Sequence, residues 1–184
     1  HYLLFSSEEI KEGETIYKCA PPIREKENNE VLKKALGSGL LDFLATDHSP
    51  APPHIKGLDE GNFITAWGGI AGLQFLLSGG WSSLKKEITL SQFIPLVTEH
   101  PALFLNLQNR KGFIKIGHDA DFVIWSPEES TVVKSVDVFH KHKISPYIGK
   151  ELFGIVRQSY VGGEMVFDNK LIIKKNCGQC LMRK

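Results

Sequence analysis

The sequence predicts an α/β fold over residues 1–107, followed by a mostly β region over residues 108–184. Three observations support this division. In the first region, apolar residues at helical spacing alternate with short apolar runs of strand length. After residue 107, period-two alternation and a Gly162-Gly163 turn signal replace the helical spacing. The composition, 42% hydrophobic and 23% charged residues, is that of an ordinary globular protein.

Four helices are predicted in the first region. Residues 6–10 offer a helix start with acidic side chains in the first turn, where they suit the helix dipole. A second helix is expected from Glu27 to Leu36, with Gly37 as its stop. A third begins at Thr89 and has Pro95 near its first turn. A further helix start, packed closely against other backbone, is suggested by the three glycines among bulky apolar residues from Asn62 to Leu73.

The strand predictions rest on short apolar runs between turn residues. Leu40 to Ala45 is expected to form a buried strand, and Gly112 to Trp125 a strand, a turn and a second strand. Thr131 to Val133 is a further short strand. Gly154 to Phe167 reads as a hairpin, and Leu171 to Ile173 adds one more strand.

Charge and cysteine content exclude several functional classes. The 22 basic and 21 acidic residues are interspersed, which argues against a nucleic-acid surface, and no apolar stretch approaches the length of a membrane span. The three cysteines form no disulfide framework, and Cys177 and Cys180 are expected to be exposed thiols. Free thiols suit an intracellular compartment, cytoplasmic or organellar. Because the chain starts with His1 rather than Met, we expect it to be part of a longer protein.

The hexapeptide from Ala45 to Pro50 is the strongest candidate for a functional site. It places Asp47 and His48 at the carboxyl end of the predicted buried strand, where α/β enzymes collect their reactive groups. A simpler interpretation is that Asp47 caps a turn and His48 is a polar loop residue. The local pattern alone leaves both interpretations open.

The hexapeptide also resembles a metal-ligand motif of the cyclic amidohydrolases, the family of dihydroorotase, hydantoinase and allantoinase. Further blocks resemble the same family in the same order: His1-Tyr2-Leu3, Lys18 to Arg24, Ala66 to Gly72, and Lys115 to Phe122. Trp67 to Gly72 and Ser145 to Gly149 are most similar to the allantoinases within it. The resemblance therefore extends over nearly the whole chain.

The resemblance implies both a fold and a reaction. Residues 1–107 would be the C-terminal part of a TIM-type (β/α)₈ barrel, and residues 108–184 the C-terminal part of a small β-sandwich. In this family, a hydroxide held by two divalent metals, expected to be zinc, opens a cyclic ureide. Asp47 matches a metal ligand that also serves as general base and acid. The family's other ligands lie upstream of His1, so we expect the chain alone to be inactive and to bind zinc weakly.

Other site residues follow from the same resemblance. Cys19, Ala20, Trp67 and Gly68 are predicted to contact the substrate, and His1 and His48 to support the metal ligand. Gly68 and Gly69 either admit a ligand close to the backbone or permit tight packing between segments. His140-Lys141-His142 has ligand-like spacing, but its histidines are expected to face solvent.

The implied activity is hydrolysis of allantoin to allantoate in purine breakdown, by a homo-oligomer, expected to be a tetramer. Two alternatives remain open at this stage. One is a hydantoinase or dihydropyrimidinase, which the residue Trp67 argues against, since such enzymes usually carry Asn at that position. The other is a non-catalytic relative that keeps the fold as an assembly scaffold.

Overall fold

The computed structural model describes residues 1–181. Its regular elements are, in chain order, α1 (Lys26–Gly37), α2 (Pro53–Lys56), α3 (Leu76–Leu84), α4 (Leu90–Val97), α5 (Glu99–Phe104), β1 (Phe122–Val132), β2 (Glu151–Val161), β3 (Glu164–Asp168) and β4 (Leu171–Ile172). Short 3₁₀ turns lie at Ser7–Glu9, Thr15–Tyr17, Leu73–Phe75 and Ser135–Asp137. The last three residues of the predicted second region lie outside the described range. Within residues 1–181, every helix is too short or too polar to cross a bilayer.

Two of the predicted helices form where local signals place them. The helix expected from Glu27 to Leu36 is α1, one residue longer at each end. α4 begins directly after Thr89, whose side chain forms a reciprocal capping box with Gln92. Because α4 starts at this cap, Pro95 lies inside the helix, and its predicted place near the first turn was wrong. The acidic start at residues 6–10 yields only a 3₁₀ turn, since the backbone becomes extended again at Ile10.

The predicted strand from Leu40 to Ala45 does not form. Leu40 and Leu41 lie in a bend, and residues 42–47 have no regular structure. The segment's only regular pairing within residues 1–181 is one parallel bridge between His48 and Ile70, just beyond its end. Leu44 donates its N–H to the Leu96 carbonyl at 2.9 Å, whereas Leu40 is 79% exposed. A strand is defined by its neighbours, and residues 1–181 provide no ladder for this segment. The prediction of a buried strand was therefore wrong for this structure.

The β-rich region is an antiparallel sheet with strand order β1-β2-β3-β4. The predicted hairpin is confirmed: Gly162 and Gly163 both have positive φ, 58° and 82°, as a type I′ turn between β2 and β3 requires. The predicted last strand is confirmed as β4. The strand expected around Ile114 is absent, because this stretch has no paired neighbour among residues 1–181 and Ile114 is 93% exposed.

The helical region and the sheet share their hydrophobic core. In one cluster, Phe5, Ile70 and Phe75 pack with Val138 and Leu152, which come from the other side of residue 108. In addition, α3 lies against the sheet: its Trp81 Nε1–H donates to the Pro127 carbonyl at 2.9 Å, and Ser82 Oγ accepts the N–H of Phe153 at 2.7 Å. The helical region is therefore supported by the sheet that follows it.

Candidate active site

Asp47 belongs to residues 40–50, the Asp47 segment. This segment meets residues 66–72, which lead to α3. Beside Asp47, the His48–Ile70 bridge joins the two segments, and the Ser49 N–H donates to the Ile70 carbonyl at 3.0 Å. The backbone of Asp47 is left-handed, with φ of 47°, a conformation that Asp and Asn tolerate better than most residues. Its carboxylate is exposed and accepts no hydrogen bond from residues 1–181. The carboxylate is therefore available to a ligand.

Two predicted site residues, His1 and Cys19, lie with Tyr2 near Asp47. Burial raises the pKa of the Tyr2 phenol, and the Cys19 thiol and the Asp47 carboxylate raise it further. The Tyr2 hydroxyl donates to the Pro21 carbonyl at 2.6 Å. The ring of His1 lies 4.3 Å from the ring of Tyr2, and its two nitrogens are buried without a partner among residues 1–181. No direct contact among residues 1–181 joins the His1 ring to Asp47, and the role of His1 in supporting Asp47 stays a prediction.

His48 connects the Asp47 segment to the beginning of α3. Its Nδ1 accepts the backbone N–H groups of Gly72 at 3.2 Å and of Leu73 at 3.0 Å. An imidazole nitrogen that accepts two hydrogen bonds carries no proton, so the proton of the neutral ring is on Nε2. The ring is therefore held in one orientation beside Asp47.

His140 is a functional candidate that the sequence analysis placed wrongly in solvent. Its ring packs 4.9 Å from the ring of His48 and 5.9 Å from that of Phe75, and both its nitrogens are buried without a partner among residues 1–181. Burial lowers the pKa of His140, and the neighbouring His48 and Lys143 lower it further. The loop after β1 packs on the 3₁₀ turn Leu73–Phe75 that precedes α3, and no local signal in the sequence predicts that contact.

The two segments predicted to contact substrate lie side by side. The Gly69 N–H donates to the Lys18 carbonyl at 3.0 Å, and Gly68 lies against Ala20. The Trp67 N–H is already used, because it donates to the Ile55 carbonyl at 2.8 Å. By contrast, the N–H groups of Cys19, Ala20 and Gly68 make no hydrogen bond with any residue in the range 1–181. The available main-chain donors are therefore on Cys19, Ala20 and Gly68.

The structure adds Lys56, which the sequence analysis did not consider. Lys56 is only 2% exposed, and its ammonium donates to three carbonyls: Lys18 at 2.7 Å, Trp67 at 3.0 Å and Gly69 at 2.6 Å. Burial lowers the pKa of this ammonium to about 8; the nearby Cys19 thiol opposes that shift, and Lys18 adds to it. A lysine in a Pro-rich loop gives no sequence signal for such burial.

A cavity of about 200 Å³ lies beneath the Asp47 segment and is lined mainly by leucine and phenylalanine side chains. His1 and Thr46 contribute to its wall, whereas Asp47, Trp67 and Gly68 do not. It therefore belongs to the apolar interior under the site. The metal expected for such a site would need more ligands than this region supplies: residues 1–181 contain no group of three His, Cys, Asp or Glu side chains able to hold an ion. Asp47 therefore stays a predicted ligand.

Similarity to named proteins extends over the entire chain. A probable allantoinase of Oryza sativa subsp. japonica is 44% identical over 100% of this chain and 37% of its own length. The allantoinase of Arabidopsis thaliana is 43% identical over 97% of this chain and 36% of its own length. The chain thus spans a little more than a third of the length of these curated relatives.

Solved structures of two hydantoinases are also similar to this chain. An L-hydantoinase (dihydropyrimidinase) from Arthrobacter aurescens superimposes with a TM-score of 0.87 at 27% identity, over 95% of this chain and 39% of that one. A D-hydantoinase gives a TM-score of 0.79, also at 27% identity, over 86% of this chain and 35% of that one. The family described as "Amidohydrolase family" matches residues 30–167. The resemblance found in the sequence is confirmed, and the chain belongs to the amidohydrolase family.

Proposed function

We propose that the full-length protein containing this chain hydrolyses a ring amide of a cyclic ureide, and that its substrate is allantoin. The observation that carries this proposal is the 44% identity to a probable allantoinase over 100% of the chain. That similarity includes the Asp47 segment and both loops that lie beside it. The hydantoinase structures support the same reaction class, the opening of a cyclic amide.

The fold proposal is that residues 1–107 belong to a (β/α)₈ barrel and residues 108–184 to a β-sandwich. The parallel bridge between His48 and Ile70 is the kind of pairing that adjacent barrel strands make. The change from helices to an antiparallel sheet between Phe104 and Phe122 supports a boundary near residue 108. Asp47 would then stand at the carboxyl end of a barrel strand, where such barrels place their reactive groups.

In this proposal, Asp47 has two roles. Its exposed carboxylate would be one ligand of a site for two zinc ions, and the remaining ligands would have to come from outside the described residues 1–181. A bound divalent metal lowers the pKa of water and polarises a carbonyl oxygen. Asp47 would take the proton of the attacking water and deliver it to the leaving ring nitrogen. His48 and His1 would keep the segment that carries Asp47 in place.

The two loops would recognise the ureide ring. Such a ring presents alternating N–H and C=O groups, which main-chain atoms can match in both directions. The unused N–H groups of Cys19, Ala20 and Gly68 would bind ring carbonyls. Trp67 is 45% exposed and its backbone is occupied, so its indole would contribute contact area.

The test compares Asp47→Asn with Asp59→Asn, a matched change at another exposed aspartate that makes no contact with the site. Both variants are made in the full-length gene product loaded with zinc, and kcat/KM is measured for allantoin, hydantoin and dihydroorotate. We expect Asp47→Asn to lower kcat/KM for allantoin by about 10³-fold, because a positioned acid-base group contributes about 10²–10⁴-fold. Asp59→Asn should match the wild type.

Three results would contradict the proposal. Near-normal turnover by Asp47→Asn would remove Asp47 from the reaction. Preference of the wild-type enzyme for hydantoin would favour the hydantoinase alternative, and no hydrolysis of any of the three substrates would favour the scaffold alternative.

A further inference from the structure

Lys56 occupies an unusual position for a lysine, because it is buried and pairs with no carboxylate of residues 1–181. An ammonium has three N–H donors and no acceptor. In the structure, each donor has one carbonyl partner, on Lys18, Trp67 and Gly69, at 2.6–3.0 Å. The ammonium is thus saturated by main-chain dipoles and has no donor left for a substrate. The function of Lys56 therefore depends on the segments to which those three carbonyls belong.

The three carbonyls belong to the two segments that would recognise the ureide. Lys18 directly precedes Cys19 and Ala20, whose N–H groups are unused, while Trp67 and Gly69 flank Gly68. Within residues 1–181, the carbonyls of Trp67 and Gly69 have no donor other than Lys56. The Lys18 carbonyl also accepts the Gly69 N–H. Two of the three carbonyls therefore depend on Lys56 alone.

We infer that Lys56 is a positioning residue that ties the segments 18–20 and 67–69 together through their carbonyls and so presents the N–H groups of Cys19, Ala20 and Gly68 to the substrate. This inference rests on the proposed function, since it assigns those N–H groups to ureide binding. Lys56 acts only through the main chain and does not contact the reacting atoms. It lies outside the lining of the neighbouring cavity, which excludes a role in binding a ligand there.

Lys18 strengthens the same arrangement from the opposite direction. Its own ammonium donates to the carbonyls of Ala66 at 2.5 Å and Ile64 at 3.1 Å. Lys18 and Lys56 thus both hold the segment from Ile64 to Gly69. The Lys18 carbonyl also accepts a hydrogen bond from the Lys56 ammonium. Lys18 and the Cys19 thiol are the titratable groups that act on Lys56.

The protonation state of Lys56 gives a second, independent readout. Burial lowers the pKa of its ammonium to about 8. The charged form, with three donors, therefore dominates below pH 8, and the neutral amine, with two donors, dominates above it. One of the three carbonyls then loses its partner. If Lys56 positions the substrate loops, KM for the ureide rises as the pH passes through about 8.

The experiment compares Lys56→Met with Lys115→Met in the zinc-loaded full-length gene product. Met keeps the unbranched side chain and removes the ammonium, and Lys115 is an exposed lysine without side-chain contacts in residues 1–181. We expect Lys56→Met to raise KM for allantoin about 10-fold, the equivalent of one lost hydrogen bond, with kcat within about threefold and zinc content unchanged. Its KM should no longer rise above pH 8, whereas wild type and Lys115→Met should keep that rise.

Amide hydrogen exchange separates this inference from the proposed function. Lys56→Met should accelerate exchange at Gly69, whose N–H bridges the two segments, whatever reaction the protein performs. Faster exchange together with no hydrolysis of any ureide by the wild type would refute the proposed function and leave the tie between the segments standing. Unchanged exchange would overturn the tie. Faster exchange with an unchanged KM would overturn the positioning role, as would a loss of folded protein with normal KM in the remainder.

Discussion

Gly69→Ala provides the sharpest test of how the Asp47 segment is held. A Cβ at position 69 would lie 2.4 Å from Ser49 Oγ, 2.6 Å from Ser49 Cβ and 2.8 Å from the Ser49 carbonyl oxygen. A different Ser49 rotamer would relieve only the first contact. Since carbon atoms pack at about 3.5–4.0 Å, the two segments would have to separate by about 1 Å. Ser49 is two residues from Asp47, so this movement would reach the site.

The size of both effects follows from that displacement. Overpacking that shifts the backbone costs about 1–3 kcal/mol in the free energy of unfolding, and we expect the upper end because the clash includes main-chain atoms. A shift of about 1 Å in a reacting group lowers turnover about 10²-fold. Urea denaturation of the full-length gene product measures the first effect, and steady-state hydrolysis of allantoin measures the second.

Gly68→Ala is the matched control for stability. At position 68, the nearest atoms to a Cβ are those of Ala20 and Cys19, at 3.7–3.9 Å, which is ordinary contact. Its free energy of unfolding should stay within about 0.5 kcal/mol of the wild type. Combining Gly69→Ala with Ser49→Gly removes two of the three clashes and should recover most of the lost stability relative to Ser49→Gly alone. If Gly69→Ala is as stable and active as the wild type, the close approach is not what positions the segment.

Two further substitutions test the support around the site. Trp81→Phe removes the hydrogen bond from α3 to the Pro127 carbonyl, and because that bond is partly buried, we expect a loss of about 2 kcal/mol in urea denaturation. No loss would mean that this bond does not hold α3 on the sheet. The side-chain amide of Asn29 is buried and donates to the carbonyls of Tyr2 and Phe5. Asn29→Asp replaces this amide by a carboxylate, which has no donor at neutral pH. It should cost about 3 kcal/mol at pH 7 and less at pH 4, where a protonated carboxyl donates again, and a pH-independent loss would contradict this explanation.

Local patterns predicted the elements whose signals are contained within a few residues. α1 and α4 carry their own spacing, stop and cap, and the Gly162-Gly163 turn requires only the two positive φ values that glycine adopts freely. The two runs near Leu40 and Ile114 have strand-like composition but no paired neighbour in residues 1–181. Strand formation depends on a second segment, and composition cannot supply one.

The same distinction between local and distant signals applies to the candidate site. The Asp47 motif and its two neighbouring loops were identified from the sequence, because each is a contiguous block with a family-like pattern. Lys56 and His140 were missed, since their environments are built from residues far away in the chain. Lys56 is 38 residues from Lys18 in sequence, and His140, which follows β1, meets His48, which precedes α2. Burial of a single polar side chain by remote carbonyls or rings leaves no periodic signal.

The two adjacent glycines resolve an alternative that the sequence left open. One interpretation was that they admit a ligand close to the backbone, and the other was that they allow tight packing. The structure supports the second for Gly69, which has no room for a Cβ beside Ser49 and whose N–H and carbonyl are both bonded within the chain. Gly68 has ordinary space and an unused N–H, so it remains available for a ligand. Gly69 is thus rigidly held, whereas Gly68, directly before it, is free to bind a ligand.

Since Gly69 meets Ser49 on one side and Lys56 on the other, a single residue couples the position of Asp47 to that of the proposed ureide-binding loops. Gly69→Ala and Lys56→Met should therefore show non-additive effects on kcat/KM for allantoin when combined.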